Sequence, residues 1–226
     1  MKIAIVNSID FKGFALSHLQ TITDIDIIIF AFGVTGEIDL AKEILGTSQV
    51  YSELVLLSLT LNCVVIAAMD TTVYGLKHKS AVIIEDGHIL DINDMVHVYD
   101  DEYDKGKGFR VYDTSKGKLG IIIHNDILFP ESSRMLTIGG CDLLITLIDT
   151  DLARNSLVMA RAASISNGIY NICSETNASY YCDEFGIVQG YTRKDFLEID
   201  IKPRKDILLI QSRRKDKYKE IFSNFL

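Results

Sequence analysis

Tryptophan is absent from this 226-residue chain, and none of its four cysteines forms a C-x-x-C pair. Cys63, Cys141, Cys173 and Cys182 are scattered, which argues against a zinc site and leaves no metal expected. Positive charge is scarce: 23 Lys and Arg against 31 Asp and Glu give a net charge of −8. That balance speaks against nucleic-acid binding. The one basic cluster, Arg213, Arg214 and Lys215, is short and reads as a solvated helix face. No apolar run reaches the ~18 residues that a membrane-spanning helix requires. The longest, Leu54 to Ala68, is interrupted by Ser58, Thr60 and Asn62. The first residues enter a strand pattern with no basic segment or cleavage site, so no signal peptide is expected. With no export signal, reduced buried thiols and a cytoplasmic location are the expectation. Gly33, Gly36, Gly106 and Gly108 lack phosphate-loop spacing and read as turn glycines, and no cofactor is implied.

What is present is an interleaving of strands and helices. Lys2 to Asn7, Ile25 to Ala31 and Cys63 to Met69 are short apolar runs, read as buried strands. Phe11 to Ile22 and Thr47 to Leu61 carry apolar residues at helical spacing. Lys79 to Glu85 and His88 to Asn93 form a hairpin around Asp86-Gly87. A second pair, Phe109 to Asp113 and Leu119 to Ile123, closes across Ser115-Lys116-Gly117. Strands Asp142 to Leu147 and Ile169 to Cys173 flank the longest helical pattern, Asp149 to Ser166, which Asp149 or Thr150 would cap. Another hairpin follows from Ser179 to Tyr191, then a strand at Ile207 to Ile210 and a charged terminal helix. Asp70 to His78 and Tyr99 to Gly108 read as short loops. With no linker or repeat, residues 1–226 read as one α/β domain with mixed sheets.

The stretch that organises the chain is Lys118 to Arg134, KLGIIIHNDILFPESSR. Gly120 and the run Ile121 to Ile123 form a buried strand; His124, Asn125 and Asp126 are a polar turn; Pro130 opens a helix, where its missing N–H costs little. A strand that stops in a polar turn before a helix is where α/β proteins place chemistry. This stretch resembles the nucleophile segment of the nitrilase, or carbon–nitrogen hydrolase, superfamily, whose pattern runs G, three hydrophobic residues, C-x-D-x-x-F-P-E-x-x-R. Gly120, Asp126, Phe129, Pro130, Glu131 and Arg134 match; His124 stands where the cysteine belongs. Further pieces resemble the family in order: Asp86-Gly87 leading to Met95-Val96-His97-Val98, Phe109 to Gly120, Gly139 to Leu144, and Arg213 to Tyr218.

The resemblance implies a four-layer αββα sandwich and a homodimer paired through helices, with Pro130 to Ile138 and the C-terminal segment at the interface. It also implies a glutamate, a lysine and a cysteine that cleave amides or nitriles. Thiolate attacks, the carboxylate takes its proton, and the ammonium stabilises the oxyanion. At the matching positions this chain has Phe32, Met95 and His124. A phenyl ring accepts no proton and a thioether supplies no charge. The expectation is therefore a catalytically inactive pseudoenzyme, with a binding or scaffold role toward a protein partner or a small, largely apolar ligand. Phe32, Met95 and His124 should converge in a repacked pocket, with Asp126 or a backbone carbonyl satisfying the His124 ring. The alternative is an active hydrolase of amide or ester bonds using His124 with Asp126 or Glu102. Glu102 approximates the place of a second family glutamate. Glu37, five residues past Phe32, is a weaker candidate base, Cys141 a displaced nucleophile, and His97 with His124 and Asp126 a metal group; simpler structural roles account for each.

Overall fold

Alternation along the strands sets the architecture. In β1 (Lys2–Val6) and β2 (Ile27–Phe30), Ile3, Ile5, Ile27 and Ile29 join one apolar cluster, while Ala4, Val6, Ile28 and Phe30 join another. That is the two-residue period of a strand buried on both faces. The same division runs through β4 (Val64–Val73) and β5 (Leu76–Glu85). With the short β3 (Ile38–Asp39), β6 (His88–Asp94) and β13 (Phe196–Asp200), they make a seven-stranded sheet ordered β13-β1-β2-β4-β5-β6, with β3 beside β4. The second sheet has six strands: β7 (Val111–Thr114), β8 (Gly117–Ile123), β9 (Leu143–Ile148), β10 (Asn171–Glu175), β11 (Ala178–Cys182) and β12 (Val188–Thr192), in the order β12-β11-β10-β9-β8-β7. Each sheet carries a parallel trio at its centre, β1-β2-β4 and β8-β9-β10, flanked by antiparallel strands. This computed structural model describes residues 1–7, 9–19, 21–99, 101–149, 152, 155–203, 209 and 212.

The inward faces meet in one cluster that includes Ile3, Ile66, Ile83, Ile121, Ile145 and Ile172. Outside the first sheet lie α1 (Phe11–Ser17), which buries Phe14, and α3 (Val50–Leu61), which buries Tyr51, Leu54 and Leu57. The small α2 (Leu40–Ile44) follows β3. Outside the second sheet lie α4 (Pro130–Ile138), with Leu136 buried, and α5 (Ser156–Asn167), with Ala160 and Ala163 buried. The fold is thus a four-layer αββα sandwich with mixed sheets, as the family resemblance implies. Each fully buried Ile or Leu contributes roughly 1.5–3 kcal/mol, so the doubly buried strands dominate the stability. Gly120 explains itself here. A Cβ on it would lie 3.1 Å from Leu136, Cys141 and Leu144 side-chain atoms, so its bare backbone lets α4 settle onto β8.

Two local readings need correction, and one strand was not read from the sequence. Asp70 to His78 is no loop: β4 and β5 run on as a ladder that pairs Asp70 with Lys79 and Val73 with Leu76. A two-residue turn closes it, with Tyr74 at φ 52° and Gly75 at φ 85°; paired left-handed residues suit the twist of a tight hairpin. Asp149 does not cap α5, which begins at Ser156 after Asn155. The strand after the last hairpin is β13, which pairs antiparallel with β1. Apart from residue 209, the expected strand at Ile207 to Ile210 lies outside the described residues, as does the Arg213 to Tyr218 segment.

Candidate functional site

The C-terminal ends of the two parallel trios face each other at one corner of the sandwich. β2 delivers Ala31 and Phe32, β4 delivers Asp70, β8 delivers His124 and β9 delivers Asp149. Their strand ends are fixed by the apolar runs that precede them. His124 opens a short 3-10 helix (His124–Leu128) directly after β8, and its backbone is left-handed, φ 46°. A non-glycine residue held there costs on the order of 1–3 kcal/mol and persists only where its surroundings enforce it.

The structure brings the sequence-selected residues to this corner. Phe32, Met95 and His124 are 3%, 2% and 6% exposed. The Phe32 and His124 rings meet edge-on, with centroids 6.5 Å apart. Phe32 and Met95 belong to the same cluster between the sheets. Met95 is hung from β5 by its N–H, which donates to the Lys79 carbonyl at 2.8 Å. The next two residues are anchored to Asp126, whose carboxylate accepts from the Val96 N–H at 3.1 Å and the His97 N–H at 2.8 Å. Asp126 also bonds His97 Nδ1 at 2.8 Å. The His97 ring in turn stacks on Phe129, centroids 3.7 Å apart.

Asp126 is therefore committed to His97 and its turn, so of the two expected partners for the His124 ring, Asp126 or a backbone carbonyl, Asp126 is engaged elsewhere. Instead the Asp149 N–H donates to His124 Nδ1 at 3.2 Å. An N–H aimed at Nδ1 needs a lone pair there, which places the proton of the neutral ring on Nε2. Glu102 is at the surface, 60% exposed and 3.7 Å from Lys77. Glu37 is exposed and accepts from Thr72 Oγ1 at 3.2 Å. Cys141 is packed, and burial pushes its thiol up to about 12, far from a reactive thiolate. Among the described residues no group of His, Cys, Asp and Glu is arranged to hold a metal ion.

The residue that sequence reasoning missed is Lys79. Its ammonium reaches into this corner and bonds Asp70 Oδ1 at 3.1 Å and Asp149 Oδ2 at 2.7 Å. It also lies 4.9 Å from the centre of the Phe32 ring and 4.7 Å from that of Tyr103. The side chain is 7% exposed. Burial works against its charge, but the bonds from Asp149 and Asp70 outweigh it and hold the ammonium above the usual lysine range. Asp149 is braced further by Thr176 Oγ1 at 3.2 Å. The corner is thus polar rather than apolar, with one ammonium ion-paired to two carboxylates. The available signal was the ladder itself: once β4 and β5 are continuous, Asp70 must sit beside Lys79.

A sequence profile described as Carbon-nitrogen hydrolase matches residues 38–194. The chain belongs to the carbon–nitrogen hydrolase family. A Schizosaccharomyces pombe protein named "Probable nitrilase" is 39% identical over 66 residues, covering 28% of this chain and 24% of that protein. A second S. pombe protein, named as a hydrolase, is 25% identical over 182 residues, covering 65% of this chain and 56% of that protein. The chain spans about half, or less, of the length of these curated relatives. Among solved structures, a carbon–nitrogen hydrolase of Helicobacter pylori superposes with a TM-score of 0.74 at 18% identity, covering 98% of both chains. An amidase of a Nesterenkonia species superposes with a TM-score of 0.74 at 16% identity, covering 100% of this chain and 96% of the amidase. At such identities the likeness is one of fold.

Proposed function

We propose that this carbon–nitrogen hydrolase family member is a catalytically inactive pseudoenzyme that serves as a binding or scaffold protein. One observation carries the reading. The position where the resemblance puts a thiolate holds an imidazole whose Nδ1 is engaged by the Asp149 N–H, and the neighbouring ammonium, Lys79, is held by two aspartates. An oxyanion needs a donor aimed at it in a prepared geometry. An ammonium held between Asp70 and Asp149 is already paired. A mutant of the Nesterenkonia amidase adds acrylamide at its active-site cysteine; the residue matched here to the family cysteine is His124. With a charged group filling the corner, a protein partner suits the site better than a small apolar ligand.

The second reading, a hydrolase of amide or ester bonds working through His124, is favoured by the retained left-handed backbone at that residue. Its proposed helpers are engaged elsewhere, Asp126 with His97 and Glu102 beside Lys77. Purified protein assayed on amides, nitriles and esters is expected to show no turnover above background. Turnover that vanishes in His124→Ala would overturn the inactive reading.

The proposed assembly is a homodimer. Met135 and Ile138 on α4 are 57% and 58% exposed, and Val158 and Ile165 on α5 are 64% and 54% exposed. α4 and α5 are neighbours, so these side chains favour a shared apolar face in need of cover. Leu136, between Met135 and Ile138 in sequence, is in the core. Sedimentation at micromolar concentration should give a dimer, and Met135→Glu with Ile138→Glu a monomer; a monomeric unmodified chain would remove the proposal. The proposed location is the cytoplasm, supported by four free buried cysteines. No helix among the described residues is long and apolar enough to cross a membrane.

A further inference from the structure

We propose that Asp70, Asp149, Phe32 and Tyr103 form a binding cage for a primary alkylammonium group, and that Lys79 is its tethered resident. The inference deepens the reading of this corner as a vacated catalytic site, on which it rests only for its location. Four features define the cage. Two carboxylate oxygens from different sheets approach the nitrogen at 3.1 and 2.7 Å. Two aromatic rings lie within 5 Å of it, at 4.9 and 4.7 Å from their centres, the distance at which a ring face attracts a cation. The lysine side chain is 7% exposed, whereas the two aspartates are 36% and 26% exposed, so the cage opens on its carboxylate side. The aromatic walls also remove water from the remaining flank of the nitrogen, which strengthens both ion pairs.

The chemistry selects the occupant. A carboxylate or phosphate would meet Asp70 and Asp149 as like charges. An apolar group would leave Asp70 and Asp149 without the ammonium that both now bond, an expensive arrangement for partly buried carboxylates. A guanidinium favours a planar, two-pronged pairing with one carboxylate, whereas here a point charge donates one bond to each of two. A primary ammonium fits each constraint, and the chain supplies its own. While Lys79 is in place the cage is closed to amines from outside.

Lys79→Ala removes the three methylenes beyond Cβ together with the ammonium, a gap of the shape of n-propylammonium. Thermal unfolding of Lys79→Ala and of the unmodified protein should be followed with added n-propylammonium chloride. Sodium chloride of equal ionic strength, n-propanol and sodium propionate serve as controls. The expected result is a lowered melting temperature for the variant that n-propylammonium alone raises, with no such rise for the unmodified protein. No rise beyond that with sodium chloride, or an equal rise in both proteins, would overturn the cage. A second measurement does not depend on Lys79→Ala folding. In unmodified protein labelled with ¹⁵N-lysine, one ammonium resonance should persist through slow hydrogen exchange and be absent from Lys79→Arg. If every lysine ammonium exchanges as freely as an exposed one, the proposal fails. These readouts contain no turnover, so substrate cleavage would overturn the inactive reading and leave the cage standing, and the converse holds.

Discussion

Asp126→Ala will destabilise the protein by about 3–5 kcal/mol, because it strands two backbone N–H groups and one imidazole nitrogen that now share a single carboxylate. The carboxylate is 2% exposed, so water cannot readily take its place. Three bonds of 2.8 to 3.1 Å converge on it. Leaving a buried donor unmade costs roughly 1–3 kcal/mol, more than an average made bond contributes. Asp126→Asn keeps one acceptor oxygen and turns an NH₂ group toward at least one donor, so about half the loss is expected. Urea unfolding midpoints of the two variants, with unchanged slopes, give the comparison. A loss under about 1 kcal/mol for the alanine variant would mean that the turn at Val96 and His97 holds itself without Asp126.

Reinstalling the family residues together, as Phe32→Glu, Met95→Lys and His124→Cys, is expected to leave the protein largely unfolded and without amidase activity. Phe32 and Met95 are in the cluster between the sheets. The new glutamate would replace a ring that faces the Lys79 ammonium and would compete with Asp70 and Asp149 for it. The new lysine would add a second buried cation next to the strand that carries the first. Desolvation costs several kcal/mol per buried ion, so the combined loss should exceed ~5 kcal/mol, within the ~5–15 kcal/mol that holds a natural domain together. Far-ultraviolet circular dichroism and a urea titration would report it. A variant as stable as the parent that turns over amides would show the catalytic frame to be intact and the loss of activity to be three substitutions deep.

The strands with long β-branched runs were legible from residue type alone, because Lys2 to Val6, Ile121 to Ile123 and Leu143 to Ile148 are buried on both faces and cannot be mistaken for surface. The hairpin at Asp86-Gly87 was legible from its turn chemistry. Thr71, Thr72 and Val73 were harder. They follow Asp70, whose carboxylate looks like the start of a loop until Lys79 is known to lie opposite, and Tyr74 in a left-handed turn gives no composition cue. Missing that hairpin meant missing Lys79, and with it the polar character of the corner. Phe32, Met95 and His124 could be brought together by motif spacing, since each follows a strand or turn with a recognisable frame. Asp149 could not be assigned correctly, because a carboxylate just before a helical pattern reads as a cap. Its actual partners come from 70 and 27 residues away in sequence.

The facing isoleucines and leucines of the two sheets attract without direction. Such an interface sets how far apart the sheets lie, and it leaves their alignment along the strands weakly determined. Directional bonds between the sheets act as index marks. Lys79 of the first sheet meets Asp149 at the end of β9; the Met95 to His97 turn, continuing from β6, meets Asp126 after β8; and the side-chain amide of Asn7, just past β1, donates to Ser179 Oγ of β11 at 3.1 Å. All three lie toward the C-terminal ends of the parallel trios. The same corner therefore acts as a clasp that keeps the two halves of the sandwich in step.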